Sequence, residues 1–168
     1  MKRTVKGWTL VELLVVMSLV AATTLWAVPA FLDFQQAQAL TRASERYLWV
    51  WEQAKHAASA QRQTLHMRLQ TRCYVVYSGS ANACQCQAER VSCSADGVML
   101  SHEHVPPTMQ LNSNGGGRVQ IEPWRQLVTP SLTMSLQLGH YEVRHLTNIL
   151  GRTRRCYVNH AILGLPEC

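Results

Sequence analysis

The N-terminal apolar segment constrains the fold of this chain most. Residues 8–30 read WTLVELLVVMSLVAATTLWAVPA, and Glu12 is the one charged residue among them. A bilayer crossing needs about 20 apolar residues in a helix, so the length suits a single crossing. Lys2, Arg3 and Lys6 precede the segment. Because basic flanks stay on the cytoplasmic side, the pattern predicts a C-terminal domain that faces outward.

An ordinary secretory signal peptide or membrane anchor is the simplest alternative. The segment lacks a convincing cleavage site of small residues behind a short apolar core, which a signal peptide requires. Glu12 also argues against a plain anchor, since a carboxylate inside the membrane costs about 2.5–3.5 kcal/mol on insertion scales. The sequence therefore indicates a functional role for Glu12.

The first thirty residues resemble a type IV prepilin. Residues 2–7, KRTVKG, followed by residues 8–14, WTLVELL, are similar to the prepilin cleavage signal. The resemblance implies that a prepilin peptidase cuts after Gly7 and methylates the new N-terminus at Trp8, where the family most often has Phe. It also implies that Glu12 neutralises the N-terminal amine of a neighbouring pilin subunit in a filament. Pro29 stands where many pilins have a helix-bending proline.

The rest of the chain predicts an α+β fold. Helical periodicity continues to about residue 59, with an apolar stripe that should pack on a sheet. Together with the resemblance, the expected order is a leader (1–7), the transmembrane half of a long helix (8–30), its amphipathic half (31–60) and a β-rich, disulfide-bonded head (61–168). This is the type IV pilin-like architecture of one long helix on an antiparallel sheet.

Alternating apolar and polar residues predict several strands in the head. The clearest are at residues 65–70, 74–77, 98–100, 132–138, 141–145 and 155–158. Residues 109–111 and 119–121 flank the segment NSNGGG, and we expect them to form a hairpin with a flexible glycine-rich loop. A phosphate-binding loop is disfavoured there, because Pro123 opposes the helix that such a loop requires.

Six cysteines follow the membrane segment, an even number that favours disulfides in an oxidising compartment. They are Cys73, Cys84, Cys86, Cys93, Cys156 and Cys168. Cys84 and Cys86 are too close to pair with each other, so each should pair with Cys73 or Cys93. Cys156 and Cys168 would then close the C-terminal tail, with a stabilisation of about 3 kcal/mol.

The sequence offers no set of residues for catalysis, metal binding or a cofactor. His102 and His104 lie near the cysteines, but the spacing matches no standard zinc pattern. No nucleophile, base and orienting group recur at readable spacing, so we do not expect an enzyme. The formal charge of +6 falls to +3 once the leader is removed, because 13 basic and 10 acidic side chains remain. Any binding of anions must therefore depend on local clustering.

Positive charge is densest at residues 151–155, GRTRR, and no acidic residue lies between Val143 and Pro166. Arginine suits phosphate groups because its planar fork donates two parallel hydrogen bonds. In an extended chain Arg152 and Arg154 would share a face, and Arg155 would point away. From charge alone, an ordinary solvated hairpin turn with surface arginines is the better explanation.

The segment NILGRTR, residues 148–154, resembles the Gly-Arg-x-Arg segment of the GspH/FimT family of minor pilins and pseudopilins. In the FimT branch this segment is linked to DNA binding during natural transformation. The resemblance implies that Gly151, Arg152 and Arg154, with the additional Arg155, bind double-stranded DNA through its backbone. It also implies an inner-membrane protein with a single crossing and a periplasmic head, which then joins a pilus at the cell surface. The alternative is a structural minor pilin or a type II secretion pseudopilin that primes assembly without binding DNA.

Overall fold

The computed structural model describes residues 9–87 and 90–168. One helix, α1, runs from Leu10 to Gln61. Eleven strands follow: β1 Leu65–Gln70, β2 Cys73–Ser78, β3 Cys84–Gln87, β4 Arg90–Cys93, β5 Val98–His104, β6 Gln110–Ser113, β7 Arg118–Ile121, β8 Val128–Thr129, β9 Leu132–Leu138, β10 Tyr141–Thr147 and β11 Thr153–Tyr157. Every pairing between these strands is antiparallel, so the predicted α+β class is confirmed.

Local side chains define both ends of α1. At the start, the backbone N–H of Thr9 donates to Oε2 of Glu12 at 3.0 Å, and the N–H of Glu12 donates to Oγ1 of Thr9 at 3.3 Å. This reciprocal arrangement is a capping box. At the end, Arg62 adopts a φ of 53°, and the N–H of Gln63 donates to the carbonyl of Ala58 at 3.3 Å. Such a left-handed residue closes a helix in the Schellman manner.

The chain divides into two compact units. In the first, which ends at Gln35, the described residues are solvent-exposed and mostly apolar. The mean hydropathy of the helix reaches 2.0 over its most apolar 18 residues, so it is long and apolar enough to span a membrane. The second unit, Gln36–Cys168, contains all of the hydrophobic core, and this makes it a self-contained head.

The head packs the second part of α1 against sheets of antiparallel strands. A five-stranded sheet has the order β5-β2-β1-β7-β8, a four-stranded sheet has the order β11-β10-β9-β6, and β3 and β4 form a separate pair. Side chains at three- and four-residue steps along the helix fill the core: Leu40, Ser44, Tyr47, Val50, Trp51, Ala54 and Ala58. The predicted apolar stripe is therefore confirmed.

The hairpin expected around the glycine-rich segment is wrong. β6 pairs with β9 in the four-stranded sheet, whereas β7 pairs with β1 and β8 in the five-stranded sheet. The glycines therefore carry the chain from one sheet to the other. A Cβ atom at Gly117 would lie 2.3 Å from the carbonyl oxygen of Leu69, so close packing against β1 requires glycine there.

Candidate functional site

The turn between β10 and β11 presents the basic segment. Asn148 organises it: Oδ1 of its side chain accepts hydrogen bonds from the N–H of Leu150 at 3.1 Å and of Arg152 at 3.0 Å. Its carbonyl accepts one from the N–H of Gly151 at 3.0 Å. Gly151 adopts a φ of 70°, a conformation that only glycine reaches without strain. Residues 148–152 thus form a closed turn, and Arg152 lies at its end.

The turn is held against the body of the head from two sides. Nζ of Lys55, on α1, donates to the carbonyl of Gly151 at 3.3 Å. The N–H of Val128, on β8, donates to the carbonyl of Ile149 at 2.9 Å. A Cβ atom at position 151 would come within 2.9 Å of the carbonyl oxygen of Gln126. The glycine therefore serves both the turn conformation and this close approach.

Arg152 and Arg154 lie along one groove. Both side chains are exposed, and they line a depression of about 410 Å³ together with Ser131, Leu132, Thr133, Leu146, Thr147 and Asn148. No carboxylate belongs to this lining, and no described carboxylate forms an ion pair with either guanidinium. Two positive charges beside hydroxyl and amide groups form a surface that can hold phosphate oxygens.

Arg155 lies on the opposite face of β11, which faces α1. Nη1 of its guanidinium is 3.9 Å from Oε1 of Glu45 on the helix, and the side chain is only 29% exposed. It is paired across the strands with His145. The structure thus brings Arg152 and Arg154 together and separates Arg155 from them, in agreement with the alternation of side chains along a strand.

His145 ties the strand before the turn to the helix. Its ring is fully buried, with Nε2 at 3.0 Å from Oγ of Ser44 and its centroid 4.8 Å from that of Tyr47. Burial, with the nearby positive charge of Arg155 acting in the same direction, lowers the pKa of His145 to about 3. Burial likewise raises the pKa of Tyr47 far above its usual range. At neutral pH the contact of His145 with Ser44 and Tyr47 is therefore uncharged.

The six cysteines form three disulfides: Cys73–Cys86, Cys84–Cys93 and Cys156–Cys168. Cys73–Cys86 joins β3 to β2, and Cys84–Cys93 joins β3 to β4. The third attaches the C-terminal tail to β11, two residues after Arg154, where the N–H of Tyr157 also donates to the carbonyl of Pro166 at 2.9 Å. The disulfide therefore fixes the strand that carries the arginines.

The remaining predicted site residues lie elsewhere. Glu12 caps the first turn of α1 through Thr9, as described above, while Gly7 and Trp8 fall outside the described residues. His102 and His104 are exposed neighbours on β5, with ring centroids 5.5 Å apart. Within residues 9–87 and 90–168, no three His, Cys, Asp or Glu side chains are grouped so that they could hold a metal ion.

Two solved structures share this arrangement of helix and sheets. Both are crystal structures of the type IV minor pilin FimU from Pseudomonas aeruginosa. The first has a TM-score of 0.55 and 12% sequence identity, covering 72% of this chain and 90% of FimU. The second has a TM-score of 0.53 and 11% identity, covering 69% of this chain and 91% of that one. The fold is that of a type IV pilin.

At these identities the likeness to FimU establishes the pilin-like fold alone. No protein-family model matches the chain, and comparison with curated proteins gives no match. The apolar N-terminal helix is consistent with membrane anchoring.

Sequence reasoning missed three residues that position the arginine turn in this pilin-like head. Asn148 could have been found, because an asparagine three residues before a glycine is typical of a side chain that closes a turn. Lys55 and Gln126 gave no such signal. Their contacts with Gly151 join residues 96 and 25 positions apart in the chain, and such pairs emerge only from the tertiary fold.

Proposed function

We propose that this chain is a minor pilin that binds extracellular DNA through Arg152 and Arg154 for uptake. The observation that carries the proposal is the groove beside the Gly-Arg turn, which both arginines line and to which no carboxylate belongs. Arginine donates paired hydrogen bonds to phosphate oxygens, so the groove would contact the DNA backbone and not read its sequence. In this proposal Arg155 supports DNA binding indirectly: its ion pair with Glu45 and its place beside His145 hold β11 against the helix.

The filament part of the proposal depends on the N-terminal segment. A prepilin peptidase would remove residues 1–7 and methylate Trp8, and Glu12 would then meet the amine of a neighbouring subunit. The apolar helix would hold the chain in the inner membrane, with the head in the periplasm, until the subunit enters a pilus. Mass spectrometry of the cellular protein should show a methylated N-terminus at Trp8. A chain that still carries residues 2–7 would contradict assembly into a filament.

Binding of DNA is best tested on the head, residues 36–168, which contains the whole core. We expect it to shift a short duplex in a mobility assay at low salt, and the double variant Arg152→Ala/Arg154→Ala to abolish that shift. The matched control is Arg72→Ala/Arg90→Ala, which removes two exposed arginines away from the groove. The control should bind duplex DNA as the unchanged head does, although it has lost the same net charge.

A second variant separates charge from geometry. Arg152→Lys/Arg154→Lys keeps both positive charges but loses the planar fork, so we expect it to retain weakened binding. Equal binding by the unchanged head and by the double alanine variant would refute the role of these arginines. The structural alternative, a minor pilin or secretion pseudopilin that does not bind DNA, would then be favoured.

A further inference from the structure

A second exposed surface adjoins the arginine turn. It is formed by the loop between β7 and β8, the turn before β11 and the C-terminal end of α1. Trp124 is 77% exposed, and Ile149 and Leu150 are 58% and 60% exposed. Exposed large apolar side chains that cluster on one surface indicate a site of interaction. We call Trp124, Ile149 and Leu150 the apolar tip.

The loop that carries Trp124 is fixed to its neighbours. Oγ of Ser59, on α1, donates to the carbonyl of Pro123 at 3.1 Å and accepts from Nε2 of Gln126 at 3.2 Å. The N–H of Glu122 donates to the carbonyl of Leu127 at 2.9 Å and closes the loop. Trp124 is therefore presented on a braced loop, which lowers the conformational entropy lost on binding.

The apolar tip and the arginine groove are close enough to serve one ligand. The carbonyl of Gln126 would be 2.9 Å from a Cβ atom at Gly151, and the N–H of Val128 is bonded to the carbonyl of Ile149. Backbone dimensions then limit the distance between the Cα atoms of Trp124 and Arg152 to about 18 Å. A few nucleotides of a single strand can span such a distance.

The charge around the apolar tip favours a polyanion. The guanidinium of Arg62 lies 5.9 Å from the centre of the Trp124 ring, and Arg125 beside it is exposed. Of the nearby acids, Glu52 is paired with Lys55 at 2.8 Å, and Glu122 is partly buried. An exposed aromatic ring among arginines is the arrangement by which proteins stack unpaired bases while they hold the phosphates.

We propose that Trp124 stacks on unpaired bases, so that the head prefers single-stranded DNA, or the frayed ends of duplexes, over intact duplex. The proposal rests on the proposed function, because the groove of Arg152 and Arg154 supplies the phosphate contacts. In an intact duplex the faces of the bases are covered by neighbouring bases. The Trp124 ring therefore cannot stack on them and does not strengthen binding of the duplex. The apolar tip therefore sets which form of DNA is bound, and the arginines set whether DNA is bound.

The test compares two probes of equal strand length on residues 36–168. One is an oligothymidylate of about 12 nucleotides, within the site sizes usual for single-stranded DNA surfaces. The other is a duplex whose two ends are closed by oligoethylene glycol linkers, so that it presents no unpaired bases. We expect Trp124→Ala to weaken binding of the oligothymidylate by about 5- to 150-fold, the effect of losing one stacked base, and to change duplex binding by less than about 2-fold. Trp49→Ala, which removes a second exposed tryptophan on α1, is the matched control and should change neither affinity.

The outcomes separate this inference from the proposed function. If Arg152→Ala/Arg154→Ala loses both probes while Trp124→Ala binds both normally, the stacking role is overturned and the arginine role stands. If the unchanged head binds neither probe, both fail. Phosphatidylglycerol vesicles test the other surface an apolar, basic tip could contact: binding to vesicles that depends on Trp124, with normal oligothymidylate binding by Trp124→Ala, would overturn the proposal. Quenching of tryptophan fluorescence by the oligothymidylate, present in Trp49→Ala and lost in Trp124→Phe, would support it directly.

Discussion

Acid should destabilise the head through His145, and the variant His145→Gln should remove that part of the effect. The ring, on β10, is fully buried against α1, with Ser44 at hydrogen-bonding distance, Tyr47 in an edge-to-face contact and Arg155 opposite it on β11. Glu45, paired with Arg155, is the other charged group of this contact. Burial holds the pKa of His145 at about 3 in the folded head.

The sign and size of the change in the free energy of unfolding with pH follow from proton linkage. Above the usual histidine pKa of about 6.5 the ring is neutral in both states, so its burial costs nothing extra. Below that pKa the unfolded chain binds a proton that the folded head does not bind, and the free energy of unfolding falls by about 1.4 kcal/mol per pH unit. The loss continues until the folded pKa is reached. At pH 5 it amounts to about 2 kcal/mol, and this figure depends only on the unfolded pKa.

Urea denaturation followed by tryptophan fluorescence measures the loss. The free energy of unfolding is determined at pH 7.5 and pH 5.0 for residues 36–168 and for His145→Gln. Carboxylates titrate in both proteins and cancel in the comparison, so the unchanged head should lose about 2 kcal/mol more than the variant. An equal loss in both proteins would refute the buried, neutral state of His145. The ring protons of His145 in NMR spectra give a second test, because their shift in the folded head should stay constant down to about pH 4.

Three further predictions concern the elements that hold the arginine turn. Gly151→Ala should lower the free energy of unfolding by about 1–3 kcal/mol in urea denaturation. The new Cβ would be strained at positive φ and would crowd the carbonyl of Gln126. Unchanged stability would contradict this close approach. Replacing Cys156 and Cys168 by serine should cost about 3 kcal/mol by the same measurement, and a loss near zero would show that the tail contributes nothing to β11. Trp51→Ala should cost about 3–5 kcal/mol because the side chain is fully buried in the core, and a cost below about 1 kcal/mol would contradict that position.

The sequence alone predicted the parts of the fold that repeat regularly. The helix from Leu10 to Gln61 carries apolar residues at helical spacing, and strands such as β9 alternate cleanly, so local patterns sufficed. The pairing of strands was harder. β6 and β7 are adjacent in sequence and look like a hairpin, but they join different sheets because β7 extends the sheet beside β1. That choice depends on long-range packing, which no short pattern contains.

The arginine site was predicted only in part, because its groove also depends on long-range packing. Alternation along an extended chain correctly separated Arg155 from Arg152 and Arg154, as the ion pair of Arg155 with Glu45 shows. The groove itself requires Thr133 and Leu146 from neighbouring strands, and the bracing of the turn requires Lys55 from the helix. Trp124 is a single residue in a loop, and its exposure beside the turn follows only from the folded structure.

The salt dependence of duplex binding tests the central claim most directly. Each phosphate contact made by a basic side chain contributes about 0.9 to the slope of log K against log salt. If Arg152 and Arg154 each contact a phosphate, the slope for each single variant, Arg152→Ala and Arg154→Ala, should be shallower than that of the unchanged head by about 0.9. The control Arg72→Ala/Arg90→Ala should keep the full slope. An identical slope for the unchanged head and for both single variants would contradict the account, because the groove would then make no contact with DNA.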